Sequence, residues 1–262
     1  MSKEVTIYGY NSVETSVSKN PDRIIELYVD KSTSNKRIDK LLSSSAVSKL
    51  SIKRVDKSFL SDLLSTEKHQ GIAAKIIINE FFNLKTSIQF LSQKEGSLVL
   101  ILDDLDDPRN IGACLRTANA VDIDMVVLSK NRVNMDSPVI GKVSSGALQA
   151  TNIAVVSNIS QFIDRIKEIG FWVYGASENS DDSYWDPNFS ESTAIIVGSE
   201  GTGLRDLTKS QCDQLISIPM AGVVSSLNVS VACGVMLYEV LRQRGANSVS
   251  YTHLTLPTKR IV

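Results

Sequence analysis

The second half of the chain contains short apolar runs that alternate with stretches of helical spacing. The run at residues 98–102 reads Leu-Val-Leu-Ile-Leu, which is typical of a parallel strand covered on both faces. Further runs lie at 125–128, 171–175, 194–198 and 215–218, and the helical stretches at 111–121, 159–169 and 227–244. This alternation predicts a doubly wound α/β domain with a parallel sheet, in which ligands bind at the carboxyl ends of the strands.

The first 78 residues follow their own pattern of shorter elements. Apolar and β-branched segments predict strands, and segments of helical spacing lie between them. The predicted strands are 4–8, 24–29, 51–55 and 71–78, and the predicted helices are 10–18, 35–46 and 57–64. We therefore predict a small α/β domain over residues 1–78, a linker over 79–96, a second domain over 97–246, and a non-native or disordered tail over 247–262.

The charge balance gives only mild hints about partners. The formal net charge is −1, so any contact with a polyanion must come from local patches. Residues 1–80 carry 13 Lys and Arg against 10 Asp and Glu. Candidate phosphate contacts there are Lys31, Lys36, Arg37, Lys53 and Arg54. The chain shows neither a signal-peptide core nor a membrane-spanning run, so we expect a cytoplasmic protein that makes no membrane contact.

The scarcity of histidine excludes several mechanisms. The chain has two histidines, His69 and His253, and three widely spaced cysteines without a Cys-x-x-Cys pair. A Ser-His-Asp hydrolase, a multi-histidine metal site or a disulfide framework would have too few residues to work with. We predict no metal site, and any chemistry must use Arg, Asn, Glu, Ser and backbone groups.

The first block with a chemical character is Asp103–Ala118, which follows the apolar run at 98–102. Its Pro108 stops further β pairing, Asn110 is a suitable helix N-cap, and Gly112 permits a close approach in the first helical turn. Arg116 lies almost two turns into the predicted helix. On this block alone, Asn110 is equally well explained as a cap and Arg116 as a solvated charge.

Two further blocks follow predicted strands. The first, residues 195–204, is a strand that runs into a loop with glycines at 198, 201 and 203. It matches neither G-x-G-x-x-G nor G-x-x-x-x-G-K-[ST], which disfavours a dinucleotide-binding dehydrogenase or a phosphate cradle. In the second, a strand ends at Pro219 and a helix is expected near Leu227, with Ser225 or Ser226 as its cap. Asn228 and Ser230 are poor helix formers in the first turn of that helix, which indicates a specific role.

The three blocks together resemble the SpoU (TrmH-like) branch of the SPOUT methyltransferases. The matching motifs occur in the family's order: D-x-x-D-P-x-N-x-G-x-x-x-R-T-A, then I-V-G-S-E-G-x-G-L, then I-P-M followed by S-L-N-V-S-V-A. Residues 1–75 resemble the L30e-like RNA-binding domain that precedes the catalytic domain in this family. The resemblance there includes Gly9, Val13 and His69-Gln70-Gly71, although the last group is equally consistent with a simple turn.

The resemblance implies a trefoil-knotted α/β domain that works as a homodimer and takes S-adenosylmethionine as its cofactor. It also implies an RNA substrate, most closely a guanosine ribose of 23S rRNA. The family's catalytic positions fall on Asn110, Arg116, Glu200, Ser226 and Asn228, with Ser230 beside them. Its cofactor-binding positions fall on Gly198, Ile218 and Leu227.

A mechanism follows from these residue types. A ribose 2′-hydroxyl is a weak nucleophile, so positioning and stabilisation of the developing alkoxide are the main requirements. Arg116 is the candidate stabiliser, because a neutral guanidine base would need a strongly depressed pKa. Asn110 and Asn228 would orient Arg116 or the ribose, and Glu200 would hold Arg116 or the base edge. The alternatives are a tRNA ribose methyltransferase and a catalytically inert RNA-binding homologue.

Overall fold

The computed structural model of the chain describes residues 3–78, 81–130, 135, 137–199 and 201–248. The first domain contains a four-stranded sheet in the order β1-β4-β2-β3. β4 pairs antiparallel with β1 and β2, and β3 runs parallel to β2 at the edge. Its elements are β1 (Lys3–Tyr8), α1 (Tyr10–Lys19), β2 (Ile24–Asp30), α2 (Lys36–Leu42), β3 (Ile52–Val55), α3 (Lys57–Leu64) and β4 (Ile72–Ile78).

The second domain contains a six-stranded parallel sheet in the order β10-β8-β9-β5-β6-β7. Its strands are β5 (Leu98–Leu102), β6 (Met125–Ser129), β7 (Ile153–Val156), β8 (Trp172–Ala176), β9 (Thr193–Val197) and β10 (Gln214–Ile216). Its helices are α4 (Leu84–Leu91), α5 (Pro108–Ala120), α6 (Pro138–Val143), α7 (Ala147–Ala150), α8 (Ile159–Glu168), α9 (Asp206–Gln211) and α10 (Val229–Ser248). The predicted α/β class with a parallel sheet is confirmed.

Strands β5 and β9 form the centre of this sheet, and every one of their residues is buried. Leu98, Leu100 and Leu102 pack with α5 and α10 on one face, whereas Val99 and Ile101 pack with α8 and α4 on the other. Burial of each such side chain contributes about 2 kcal/mol to folding. Because side chains alternate across a strand, an unbroken apolar run is what a strand covered on both faces requires.

The segment predicted as a linker, residues 79–96, contains helix α4 and an additional edge contact. The Phe82 N–H donates to Ile153 O at 2.8 Å, and the Val155 N–H donates to Phe82 O at 2.9 Å. Asn83 and Thr86 form a reciprocal capping box at the start of α4. This segment is therefore built onto the second domain beside β7. Sequence patterning missed α4, along with β7, α6, α7 and α9; the last three have six residues or fewer, too few for a helical period to show.

The two domains pack through α6 against β1. A Cβ added to Gly141 in α6 would lie 2.7 Å from Ile7 Cγ2. Ser12 Oγ donates to Lys142 O at 3.1 Å, and Gln149 Nε2 donates to the buried Ser16 Oγ at 2.6 Å. The interface thus combines a close glycine contact with buried polar pairs.

The His69-Gln70-Gly71 segment forms a turn into β4. His69 is buried, and its Nδ1 accepts from the Gly71 N–H at 3.1 Å. Gln70 and Gly71 have φ values of 58° and 78°, and the Gln70 side chain accepts from the Tyr10 N–H at 2.9 Å. Burial lowers the pKa of His69 and favours its neutral form. These contacts support the turn interpretation of the segment.

Helices α5 and α10 run side by side in the same direction. Asn110 contacts Asn228 near the start of both helices. About two turns further along α5, Thr117 lies beside Gly234 of α10. On its other side α5 packs against α6, where a Cβ added to Gly112 would lie 2.8 Å from Val143 Cβ and 3.2 Å from Ile140 O. The predicted close approach at Gly112 is thus present, and its partner is α6.

The substitution Gly112→Ala is expected to lower the free energy of unfolding by about 1–2 kcal/mol, because overpacking outweighs the gain in helix propensity. Gly234→Ala is the matched control, since its added Cβ would meet no atom closer than 3.7 Å. That control should be neutral or stabilising by up to about 1 kcal/mol. Urea denaturation measures both, and equal effects of the two substitutions would contradict the assigned packing.

Candidate functional site

A cavity of about 610 Å³ lies at the carboxyl ends of β8, β9 and β10. Its walls come from three segments: the one after β8, the glycine-rich segment after β9, and the segment that joins β10 to α10. This is the edge of an open parallel sheet where ligands are expected. The second and third sequence blocks therefore meet at one site.

The glycine-rich segment, residues 198–204, is called the glycine loop below. It folds tightly back on the end of β9: the Gly203 N–H donates to Ser199 O at 3.0 Å. A Cβ added to Gly198 would lie 2.1 Å from the Gly203 carbonyl carbon, so no side chain fits at Gly198. Gly201 and Gly203 have φ values of 88° and 66°, a region that favours glycine. The glycines therefore let this loop turn back and leave backbone groups facing the cavity.

The three predicted cofactor-binding residues, Gly198, Ile218 and Leu227, all line this cavity. Ile216 and Met236 add buried apolar surface beside them. Apolar side chains next to exposed backbone groups are the usual composition of a small-molecule site.

Asn228 joins two structural roles at the mouth of the cavity. Its Oδ1 accepts from the Ser230 N–H at 3.0 Å and from Ser230 Oγ at 2.5 Å. Helix α10 begins at Val229, so Asn228 is its cap. The predicted caps, Ser225 and Ser226, are wrong, because both serines lie in the exposed segment before Asn228. Ser226 nevertheless lines the cavity.

The Asn228 amide also donates to Asn110 Oδ1 at 3.2 Å. The sequence placed Asn110 at the N-cap of α5, and this is wrong. Asp107 is the cap, and its carboxylate accepts from the Arg109 N–H at 2.9 Å. Because Pro108 favours the first helical position, the helix starts three residues earlier than predicted. Asn110 thus lies in the first turn of α5, beside the cavity mouth.

The structure does not place Arg116 with this group of residues. Arg116 is exposed on α5 and lies six residues after Asn110, roughly 9 Å along the helix axis. It is not among the residues that line the cavity. Glu200 lies outside the described residues.

Sequence reasoning missed the wall that follows β8. Ser177, Glu178 and Asn179 line the cavity there, and Lys209 of α9 also lines it. The signal was available, since these residues directly follow a predicted parallel strand whose carboxyl end borders any ligand site. Among the described residues that line the cavity, Glu178 supplies a carboxylate and Lys209 an ammonium group.

The buried thiols beside the site are unreactive in character. Cys114 of α5 and Cys233 of α10 are buried, and the contact with Cys114 together with burial raises the pKa of Cys233. Burial raises the pKa of Cys212 to about 12. Neutral thiols of this kind pack as small apolar groups. Over the described ranges, no group of three His, Cys, Asp or Glu side chains could hold a metal ion, and no helix is long and apolar enough to cross a membrane.

Comparison with known proteins identifies the family. The model of the SpoU rRNA methylase family matches residues 97–238. A second model, for the RNA 2′-O ribose methyltransferase substrate-binding domain, matches residues 6–82. The chain belongs to the SpoU rRNA methylase family. The family predicted from the three motifs is confirmed.

Relatives cover nearly the whole chain. The 23S rRNA (guanosine-2′-O-)-methyltransferase RlmB of Coxiella burnetii is 39% identical over 95% of this chain and 100% of its own length. RlmB of Vibrio cholerae is 37% identical over 94% of this chain and 100% of its own length. Among solved structures, the SpoU methyltransferase AviRb of Streptomyces viridochromogenes in complex with AdoMet has a TM-score of 0.75 at 23% identity. That likeness covers 93% of this chain and 91% of AviRb and shows a common fold.

The double role of Asn228 gives a prediction about stability. Asn228→Ala removes the α10 cap and should lower the free energy of unfolding by about 1 kcal/mol. Asn228→Asp keeps the capping acceptor and loses only the amide donor to Asn110, so it should stay closer to the parent protein. Urea denaturation of both variants tests this, and equal destabilisation would show that the cap contributes nothing.

Proposed function

We propose that this protein transfers a methyl group from S-adenosylmethionine to a ribose 2′-hydroxyl of RNA, most specifically of a guanosine in 23S rRNA. The observation that carries the proposal is the meeting of the second and third family motifs around one cavity, with Asn110 of the first motif at its mouth. The curated relatives named above, which match this chain over their full length, carry that activity in their names.

The cavity fits the proposed cofactor. Its volume of about 610 Å³ lies within the range of roughly 300 to 1,000 Å³ that small-molecule sites occupy. Leu227, Ile218 and Met236 would contact the adenine ring, and the backbone of the glycine loop would meet polar edges. Lys209 and Glu178 offer opposite charges to the carboxylate and ammonium groups of the amino-acid portion. S-adenosylmethionine, when bound, supplies an electrophilic methyl group.

The chain's own residues would then prepare the hydroxyl. Asn228 and Ser226 lie at the mouth of the cavity and would hold the ribose in line, and Asn110 would fix the Asn228 amide through the hydrogen bond already present. Arg116 would stabilise the negative charge that develops on the 2′-oxygen, because its guanidinium stays protonated at neutral pH. Glu200 is proposed to hold Arg116 or the base.

Arg116 lies outside the walls of the cavity, and we propose that a homodimer gives it a place in catalysis. Helix α10 exposes an apolar stripe, Val231, Tyr238 and Leu241, at 50%, 52% and 41% of their full accessibility. These positions recur at helical spacing on one side of α10, and Arg116 lies beside this helix on α5. A second copy that covers the stripe would bury the apolar surface and enclose the guanidinium of Arg116.

The substrate-binding domain favours ribosomal RNA. Its match to the RNA 2′-O ribose methyltransferase substrate-binding model supports an RNA substrate, and the names of the relatives support 23S rRNA over tRNA. We propose that Lys31, Lys36, Arg37, Lys53 and Arg54 contact its phosphates. Arg37 stacks over the Tyr10 ring at 5.2 Å, and Lys53 pairs with Glu26 at 2.9 Å on the exposed strand β3.

The remaining assignments follow from the family. We propose a first domain over residues 1–78 and a second over 97–246, onto which the segment 81–96 packs; the two separate sheets and the two family matches support this division. We also propose a trefoil knot in the second domain and a cytoplasmic location, where a ribosomal substrate would be met. The proposed tail, residues 247–262, lies outside the described residues except for Asn247 and Ser248, which continue α10.

Arg116→Ala should abolish methyl transfer and leave the affinity for S-adenosylmethionine within about twofold, because the guanidinium acts on the hydroxyl and not on the cofactor. The assay uses labelled S-adenosylmethionine with total RNA and maps the 2′-O-methyl site, with calorimetry for the cofactor. Arg165→Ala is the control, an exposed arginine on α8 at the opposite face of the sheet. Loss of cofactor affinity in Arg116→Ala would contradict the role proposed for Arg116. Label in tRNA would favour the alternative substrate. No label in any RNA with the parent protein would favour an inert homologue.

Tyr238→Glu should convert the proposed dimer to a monomer, because a carboxylate at the centre of the apolar stripe would be buried without a partner. Sedimentation velocity measures the change. Trp172→Glu, which replaces another exposed aromatic residue of the second domain, serves as the control. A parent protein that sediments as a monomer would refute the dimer.

A further inference from the structure

The carboxylate of Asp103 is completely buried at the carboxyl end of β5. It lies one residue beyond the strand, and its N–H donates to Val197 O of β9 at 2.9 Å. A buried carboxylate is strongly destabilising unless a cation or several donors accompany it. This charge therefore requires a partner near the end of β9.

The partner of Asp103 is Arg205, the residue that directly follows the glycine loop. Its guanidinium Nη2 bonds Asp103 Oδ1, and its N–H lies 3.4 Å from Asp103 Oδ2. The Arg205 side chain is half exposed, so the pair closes over the carboxylate from the solvent side. A buried carboxylate that loses such a partner is left with an uncompensated charge.

The glycine loop is therefore held at both ends. At its start, the loop follows β9, which pairs with β5 through Val197 and with β8 opposite Gly175. At its end, Leu204 is buried in the core on the α8 face, and Arg205 is tied to Asp103. Six described residues of the loop contribute to the cavity wall: Gly198, Ser199, Gly201, Thr202, Gly203 and Leu204.

The described residues of the loop make few hydrogen bonds with one another. Besides the Gly203–Ser199 backbone bond, it has the contact between Ser199 Oγ and Thr202 Oγ1 at 2.6 Å. Glycines at 201 and 203 have a wide choice of backbone conformations in the absence of constraints. The distance between the two anchors must therefore select the conformation that forms the cavity wall.

We propose that Asp103 and Arg205 are positioning residues for the cofactor: their ion pair fixes the far end of the glycine loop and thereby the cofactor-binding wall. The inference rests on the proposed function, since it assigns the pair to the same cavity. Neither side chain lines that cavity, so the pair acts through the loop backbone. The Asp103–Arg205 pair joins the start of the first sequence block to the end of the second. The proposed catalytic residues do not make this connection.

The chain offers a matched control at the opposite end of the same strand. Asp124 is buried to a similar degree, pairs with the half-exposed Lys94, and accepts from the Leu98 N–H at 2.7 Å. This second ion pair anchors the amino end of β5, far from the cavity. Asp103→Asn and Asp124→Asn remove the same charge from comparable surroundings, and only the first change affects the glycine loop.

The test measures affinity for S-adenosylhomocysteine, the demethylated cofactor, by calorimetry on the full chain, together with KM and kcat for methyl transfer. Asp103→Asn is expected to weaken affinity roughly 10- to 100-fold, by analogy with the loss of a group that orients a metal ligand. KM for the cofactor should rise more than kcat falls. Asp124→Asn should leave affinity and KM within about twofold, although both variants lose thermal stability.

A double-mutant cycle adds an independent readout. If the pair acts as one unit, Asp103→Asn combined with Arg205→Gln should weaken affinity no more than either change alone. Arg205→Lys keeps the cation and should recover part of the affinity; it also serves as the test if Asp103→Asn fails to fold. Affinity unchanged in a folded Asp103→Asn or Arg205→Gln variant, or equally weakened in Asp124→Asn, would overturn the inference. If the parent protein binds no cofactor, the proposed function itself fails.

Discussion

The pairing of β5 with β9 is the contact on which the rest of the second domain depends. Both strands are buried along their whole length and run parallel from Leu98 opposite Thr193 to Leu102 opposite Val197. Parallel strands end at the same edge of a sheet, so this register places Asp103 beside the start of the glycine loop. Helices α5 and α10 cover one face and α8 the other, which excludes water from the centre and leaves the carboxyl edge open.

The cavity at that edge is assembled from segments that are distant in the sequence. The second motif contributes the glycine loop and the third Asn228, and a hydrogen bond of 3.2 Å joins Asn228 to Asn110 of the first motif. Asn228 also stabilises the fold, because it caps α10. Residues that both stabilise the fold and face the site keep their geometry before any ligand arrives, which reduces the entropic cost of binding.

Sequence patterning predicted some elements with their correct limits and missed others. The apolar run at 98–102 and the helix at 57–64 have the predicted limits, because strong periodicity or continuous burial marks them. Helices α6, α7 and α9 have four to six residues, too few for a periodic pattern to emerge. The helix starts were displaced by competing caps: Asp107 with Pro108 replaced Asn110, and Asn228 replaced the serines before it.

The sequence by itself determined the α/β class, the family and the residue types available for chemistry, because these depend on periodicity, motif order and the near absence of histidine. Only the tertiary structure decided that Asn110 meets Asn228, that the segment after β8 forms a wall of the cavity, and that Asp103 pairs with Arg205. The members of each of these groups lie far apart along the chain. Their proximity follows from strand order and burial, and a pattern of neighbouring residues carries no information about either.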